Sequence, residues 1–187
     1  MAQAVDAKQN AQLVTAHQVN IQVAKQLADL VKSTLGPYGM DKEMVDAAGS
    51  VLMTNDGATI LKETKLNHPT AKIITEVART QEENCYDGTT SSVVITGEMM
   101  DKASDLLDMK IHPTRIAKGY NIANAKAQEL LNDISIEVDD GLLLSVAKTA
   151  MTGKSAESSG DSLAQIALDV AKSTTIDNIS IVKRANG

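Results

Sequence analysis

Apolar residues recur at helical spacing over most of the chain. In residues 11–35 they include Val23, Leu27 and Val31, which stand four residues apart and so share one face of a helix. Gly36-Pro37 follows at once, and a glycine that can take a positive φ beside a proline is typical of a helix end. The pattern therefore predicts a first helix over residues 11–35.

Six further helices are predicted from apolar periodicity and from start signals. Proline suits the first turn of a helix, where its missing N–H costs little, and it stands there in His68-Pro69-Thr70 and in His112-Pro113-Thr114. Another long helix is predicted to begin after Asp87-Gly88. Shorter helices are predicted over residues 58–63, 142–150 and 161–172.

Short apolar runs predict strands. Glu43–Asp46 and Ser50–Thr54 flank Ala47-Ala48-Gly49, so we expect a β-hairpin. Ile134–Val138 alternates apolar and polar residues like a half-buried strand. Ile179–Val182 is also predicted as a strand, but it has no evident partner in its own segment, and an isolated strand is not stable alone.

These elements predict a mainly α fold with two parts. A helical domain with a small β-hairpin covers residues 1–140, and the first part of a small α/β domain covers residues 141–187, with the boundary at Asp139-Asp140-Gly141. The chain has no Trp, no Phe and three Tyr. Its core must therefore be built from Ala, Val, Ile, Leu and Met, which suits closely packed helices.

Charge and hydropathy exclude several classes of protein. The formal net charge is −6 and the basic residues are spread out, so the chain has neither a basic surface for nucleic acid nor a basic amphipathic membrane helix. No apolar run reaches the ~20 residues of a membrane span, and the polar N-terminus lacks the pattern of a signal peptide. Cys85 is the only cysteine, which excludes an internal disulfide. We therefore expect a cytoplasmic protein that binds neither nucleic acid nor membranes.

Three glycine-containing turns carry the candidate chemistry: Thr34–Gly39, Thr54–Thr59 and Asp87–Ser92. Taken alone, the first is typical of a helix end and the second of a simple turn. Asp56, in the second turn, could instead orient water or a metal ion in phosphoryl transfer. Lys154 could contact a phosphate, although a solvated lysine is the commoner role for that loop position.

The third turn has the clearest chemistry, because it opens a helix whose free N–H groups favour an anion. Gly88 lets the backbone approach a phosphate, and hydroxyl groups follow at Thr89, Thr90 and Ser91. The Asp87 carboxylate would repel a phosphate unless a cation lay between them, so a magnesium ion is implied. The alternative is that Asp87 or Thr89 merely caps the helix. The turn is not a Walker A loop, because no Gly-Lys-Ser/Thr follows it.

Taken together and in this order, the turns resemble the ATP-binding equatorial domain of group II chaperonins, the family of the archaeal thermosome and the eukaryotic cytosolic chaperonin. The resemblance rests on Thr34–Lys42, Thr54–Leu61 and Asp87–Thr90. Thr149–Lys154 is similar to a stretch of that family's intermediate domain. The resemblance covers about residues 14–187. It implies an equatorial domain and an incomplete intermediate domain, without an apical domain.

The resemblance implies ATP and Mg²⁺ as ligands and gives roles to individual residues. Asp87 would hold the magnesium ion, Asp56 would position the attacking water, and Lys154 would sense the γ-phosphate. The nucleotide site implied for this chain comprises Thr34, Leu35, Gly36, Pro37, Asn55, Asp56, Gly57, Asp87, Gly88, Thr89, Thr90, Ser91, Gly153 and Lys154.

The family's activity is the ATP-driven folding of non-native proteins inside a double ring of subunits. The resemblance implies that the hairpin adds strands to a sheet of a neighbouring subunit. Unfolded client proteins would bind through the missing apical domain.

The chain departs from the family pattern in two ways. Tyr86 stands where the family usually has Gly, and a Tyr cannot take a Gly-only backbone conformation without cost. The apical domain and the C-terminal half of the equatorial domain, which supplies a second catalytic Asp, are expected to be absent. The chain alone is therefore not expected to hydrolyse ATP well. Two alternatives stay open, a truncated subunit that binds nucleotide or a ring without hydrolysis, and a small free-standing Mg-dependent NTPase.

Overall fold

The computed structural model describes residues 2–45, 48–64, 66–152 and 159–182, with side chains from residue 16 onward except at residue 177. The chain divides into two units, Met1–Glu129 and Leu130–Gly187, and each makes most of its contacts within itself. This division comes before the domain boundary predicted at 140/141, which stays a prediction.

Helices dominate the described residues, and one antiparallel hairpin accompanies them. The helices are α1 (Ala2–Lys32), α2 (Gly57–Glu63), α3 (Pro69–Cys85), α4 (Thr89–Asp108), α5 (Pro113–Ile134), α6 (Asp140–Met151) and α7 (Gly160–Ser173), and the strands are β1 (Lys42–Val45) and β2 (Val51–Thr54). A short 3-10 turn, Ile176–Asn178, follows α7. The predicted mainly α fold with a small β-hairpin is confirmed. α1 begins earlier than predicted, because Ala and Gln in its first turns favour helix.

The two His-Pro-Thr sequences begin α3 and α5 as predicted. His68 is extended, with φ −69 and ψ 136, as a residue before proline must be. Its imidazole Nδ1 accepts a hydrogen bond from the Thr70 N–H at 3.2 Å. His112 Nδ1 accepts from the Thr114 N–H at 3.3 Å in the same way. In both helices the histidine thus takes the place of the usual Ser, Thr or Asp cap.

The hairpin turns one face to the helices and the other to solvent. Its register pairs Met44 with Leu52 and Val45 with Val51. Met44 is partly buried and packs against the core of the first unit. Val45 and Val51 point to the opposite face and are mostly exposed. The hairpin is therefore attached through one face only.

The other two predicted strands, residues 134–138 and residues 179–182, are wrong. α5 continues through Ile134, and residues 135–139 form neither helix nor strand. Ile179 is extended, with φ −94 and ψ 125, but residues 179–182 pair with no strand among the described residues. Alternating apolar residues supply one face of a strand, whereas a strand also needs partners for its N–H and C=O groups.

The core of the first unit lies where the first four helices meet. Its residues are small or aliphatic, as a chain without Phe and Trp requires. They are Ala24, Leu27, Val31, Ile60, Leu61, Ala71, Ile74, Ala78 and Val93.

Helices α1 and α4 approach each other closely at a glycine. A Cβ atom added to Gly97 would lie 2.2 Å from the Cβ of Ala28 and 3.4 Å from the carbonyl oxygen of Ala24. No real side chain tolerates the first distance. Gly97 therefore sets how near the two helices can come.

Two surface ion pairs show the relative direction of this helix pair. Lys32 contacts Glu98 at 2.6 Å, and Lys25 contacts Asp101 at 2.7 Å. Rising residue numbers in α1 thus meet falling numbers in α4, so the two helices run antiparallel.

The second unit is held by α6 and α7. Lys148 contacts Asp161 at 2.7 Å, and Lys172 contacts Asp140 at 2.7 Å. Only Ala164 and Leu168 of α7 are buried among the described residues of this unit. None of the described helices of the chain is both long and apolar enough to span a bilayer.

Substituting Gly97→Ala is expected to destabilise the chain by about 1–2 kcal/mol. The new methyl group overpacks the contact with Ala28, which costs more than the ~1 kcal/mol that Ala gains over Gly in a helix. Urea denaturation followed by circular dichroism measures the change.

Gly119→Ala in α5 is the matched control. A Cβ atom there meets nothing within 4 Å, so this variant should be more stable than the parent by about 0.5–1 kcal/mol. Changes of the same sign in both variants would contradict the close α1–α4 contact.

The ion pairs between α1 and α4 predict a pH dependence. The hydrogen bond from Lys25 lowers the pKa of Asp101, and the one from Lys32 lowers the pKa of Glu98. A carboxyl whose pKa is depressed in the folded state stabilises above its unfolded pKa of about 4, and this contribution is lost as the pH falls through the folded pKa.

The double variant Asp101→Asn, Glu98→Gln should therefore melt below the parent at neutral pH and low salt, and the gap should close as the pH drops below about 4. Thermal unfolding from neutral to acidic pH measures the gap. A gap that stays constant over that range would show that these pairs do not contribute.

Candidate functional site

The third turn joins α3 to α4 and leaves the first turn of α4 without a side-chain cap. Gly88 is the N-cap residue, with φ 78. The Asp87 carboxylate accepts a hydrogen bond from the Gly88 N–H at 2.7 Å, and so does not reach into the helix. Thr89 is buried, and its carbonyl oxygen accepts from Ser92 Oγ at 2.8 Å. The alternative that Asp87 or Thr89 caps α4 is therefore not what the structure shows. The first N–H groups of α4 have no intrahelical partner.

The second turn packs directly against the third. A Cβ atom on the buried Gly57 would lie 2.6 Å from Thr90 Oγ1 and 3.3 Å from Thr90 Cα. The start of α2 is thus in contact with the start of α4. Thr90 and Ser91 themselves are half-buried.

Asp56 caps α2. Its Oδ2 accepts a hydrogen bond from the Thr59 N–H at 2.8 Å, and its own N–H donates to Thr54 Oγ1 at 3.1 Å. The carboxylate is half-buried, as is Asn55 beside it. One carboxylate oxygen therefore has a structural role, and the other accepts no hydrogen bond from the described residues.

The first turn folds back on the end of α1 and leaves one glycine open. Thr34 is buried, whereas Leu35 and Pro37 are exposed. Gly36 has φ 84, and nothing lies within 4 Å of the place of a Cβ atom. Gly39 is required for closure, because a Cβ atom there would lie 2.2 Å from the Thr34 carbonyl oxygen.

The antiparallel α1–α4 pair brings these turns to one end of the first unit. The first turn follows the C-terminal end of α1, and the third turn precedes the N-terminal end of α4. The second turn lies against the third through Gly57 and Thr90. Gly153 and Lys154 lie outside the described residues.

Two other features of the described residues bear on the site. No group of three or more His, Cys, Asp or Glu side chains among them is placed to hold a metal ion. A groove of about 590 Å³ runs along the outer face of α3, and it contains none of the residues predicted from the sequence. It is lined by Lys72, Ile73, Glu76, Val77, Thr80, Gln81 and Asn84.

Sequence patterns missed Gln81, which contacts the third turn. Its Nε2 donates a hydrogen bond to the Asp87 carbonyl oxygen at 2.8 Å. The contact exists because the chain reverses at Tyr86, which has φ 56 and ψ 10. A glycine there would have signalled the reversal, but a tyrosine does not.

Sequence comparison identifies the family. Residues 27–187 match the profile of the TCP-1/cpn60 chaperonin family. The chain belongs to this chaperonin family. Together with the thermosome relatives described next, this match confirms the resemblance to group II chaperonins.

Archaeal thermosome subunits are among the relatives of this chaperonin chain. The thermosome beta subunit of Methanothermobacter thermautotrophicus is 51% identical over 163 residues, which are 87% of the chain and 30% of that protein. The beta subunit of Archaeoglobus fulgidus is 48% identical over 92% of the chain and 34% of its own length. The thermosome subunit of Pyrococcus horikoshii is 46% identical over 92% of the chain and 34% of its own length. The chain spans about a third of the length of these relatives.

Tyr86, where the family pattern usually has Gly, takes the left-handed conformation that Gly would favour. Its N–H still donates to the Glu82 carbonyl oxygen at 2.9 Å and so ends α3. Its side chain is 62% exposed, so little packing offsets the strained backbone. A left-handed residue other than Gly costs roughly 1–2 kcal/mol. The chaperonin chain thus makes this turn with a residue other than Gly and carries the strain.

Tyr86→Gly is expected to stabilise this chaperonin chain by about 1 kcal/mol, because Gly adopts the left-handed conformation without a Cβ clash. Tyr86→Ala is the control, since it removes the same side chain but keeps the Cβ atom. Denaturant unfolding should show a gain for Gly and none for Ala. Equal stability of the two variants would contradict the strained turn.

Proposed function

We propose that this chain is the nucleotide-binding part of a chaperonin subunit that uses ATP to assist the folding of non-native proteins. Three observations support the proposal: membership of the chaperonin family, thermosome subunits among the relatives, and the three turns gathered at one end of the first unit. The relatives are about three times as long, which does not favour a small free-standing NTPase. We assign this activity to the whole subunit, acting in the cytoplasm.

The uncapped start of α4 is the main structural support for the proposed nucleotide site. α4 is a helix of 20 residues, so its dipole is fully developed at Thr89. The N–H groups of Thr89, Thr90 and Ser91 would bind phosphate oxygens, as helix N-termini do in other nucleotide sites. Gly88 would let the backbone approach the phosphate.

Asp87 would hold a magnesium ion between itself and the phosphates. One carboxylate oxygen is engaged by the Gly88 N–H, and the other accepts no hydrogen bond from the described residues. Magnesium is commonly bound by one or two carboxylates together with phosphate and water oxygens, so a single Asp suffices. When bound, the ion would neutralise charge on the phosphates.

Other residues would line the site or act on the substrate. Asp56 would orient the attacking water through the oxygen that does not cap α2. Lys154 and Gly153, which lie outside the described residues, would add a further contact with the phosphates, as the resemblance implies. The remaining lining residues of the proposal are Thr34, Leu35, Gly36, Pro37, Asn55 and Gly57.

The hairpin would join neighbouring subunits. β1 and β2 pair only with each other among the described residues, so each keeps an open edge. The outer face presents Val45, Val51 and Met53, each more than half exposed. An open edge beside an apolar face suits the addition of a strand from another subunit. Clients would be bound by parts of the subunit outside this chain.

Isothermal titration of the purified chain with ADP tests the nucleotide site. We expect binding that weakens when EDTA removes magnesium. Asp87→Asn should weaken magnesium-dependent binding about 10- to 100-fold, because interactions of a charged group contribute about 1.5–3 kcal/mol. EDTA should then change the affinity of this variant little.

Asp108→Asn, at the other end of α4, is the control with the same change of charge, and it should bind like the parent. No binding of ADP by the parent, with or without magnesium, would sink the proposed site.

A further inference from the structure

We propose that Gln81 is a positioning residue for the third turn, which it holds in the form that binds magnesium and nucleotide. The inference rests on the proposed function, and it assigns to α3 a part in a site otherwise built from the starts of α2 and α4 and the end of α1. Gln81 lies one turn before the end of α3. Its side chain spans the chain reversal at Tyr86 to reach Asp87.

The hydrogen bond from Gln81 fixes the orientation of one peptide plane. Nε2 donates to the Asp87 carbonyl oxygen at 2.8 Å. In a trans peptide the C=O and the following N–H point in opposite directions. Holding the Asp87 carbonyl on the α3 side therefore directs the Gly88 N–H to the other side, where Asp87 Oδ1 accepts it at 2.7 Å. The carboxylate is thus oriented through the peptide that Gln81 holds.

Gln81 also occupies the space beside Gly88. A Cβ atom on Gly88 would lie 3.0 Å from Gln81 Nε2. Gly88 is favoured by its φ of 78, and the amide group leaves little room beside it for a side chain. Without the Gln81 amide, no other described contact would hold the Asp87 carbonyl. The peptide plane between Asp87 and Gly88 could then rotate.

This loop would otherwise be mobile for a physical reason. Tyr86 and Gly88 both have left-handed backbones, with Asp87 between them. Conversion of such a turn by rotation of a peptide plane changes φ and ψ at only two residues, and Gly tolerates either outcome. A single hydrogen bond from a side chain on a rigid helix is then enough to select one form.

Gln81→Met tests the proposal, because Met has nearly the same length and volume but no amide donor. Gln128→Met on the exposed face of α5 is the matched control. In the full 187-residue chain we expect Gln81→Met to weaken Mg·ADP binding about fivefold, as the loss of one neutral hydrogen bond does. Binding of ADP in EDTA should change much less, because the carboxylate acts through magnesium. Because the lost hydrogen bond is exposed, the melting temperature should fall only slightly below that of the Gln128→Met control.

Amide exchange measured by NMR separates this inference from the nucleotide site. Without any ligand, Gln81→Met should speed exchange of the Gly88 N–H about fivefold and leave the last turn of α3 unchanged. Unchanged exchange at Gly88 would overturn the positioning role even if the parent binds nucleotide. If Gly88 exchange is faster in the variant but the parent binds no ADP, Gln81 still positions the third turn, but the link of that positioning to magnesium is overturned. An equal loss of affinity with and without magnesium, together with a melting temperature well below that of the control, would show a merely structural role.

Discussion

Helices α1 and α4 can lie side by side only because Gly97 has no side chain where Ala28 meets it. The other candidate features depend on this contact. It sets the two helices close together, and the ion pairs between them show that they run antiparallel. The turn that ends α1 and the turn that begins α4 then fall at one end. The core of Ala, Val, Ile and Leu residues follows from the same close approach, since large aromatic side chains would force the helices apart.

Glycines have a second kind of role around the start of α4. Gly57 lets α2 touch Thr90, and Gly88 gives α4 a start without a side-chain cap. The α2 helix shows the contrast, because Asp56 closes its first turn with a carboxylate. Of these two neighbouring helix starts, the structure thus satisfies one internally and leaves the other open to an external anion. That difference is the physical basis for the proposed phosphate site.

The sequence predicted the helices well, because their signals are local. Apolar periodicity and the prolines after His68 and His112 marked where they lie. Strand predictions depended on a partner: the hairpin has one close in sequence, whereas residues 134–138 and 179–182 pair with none among the described residues. For the site, the three turns were identified from their residues and from resemblance. The cap on α2 and the contact of Gln81 with Asp87 could not be predicted from the sequence. Each is one of several hydrogen bonds that the carboxylate or the amide could form, and only the folded structure decides between them.

The hairpin has a consequence for the chain before it meets a partner. Its outer face presents Val45, Val51 and Met53, and β2 carries none of the charges, prolines or bulges that usually protect an unpaired strand. The same backbone groups that would receive a neighbouring strand can template any extended segment, including another copy of this one. Prompt burial of the hairpin would therefore guard against aggregation, and an excess of unassembled chains would be harmful to the cell even if every one were correctly folded.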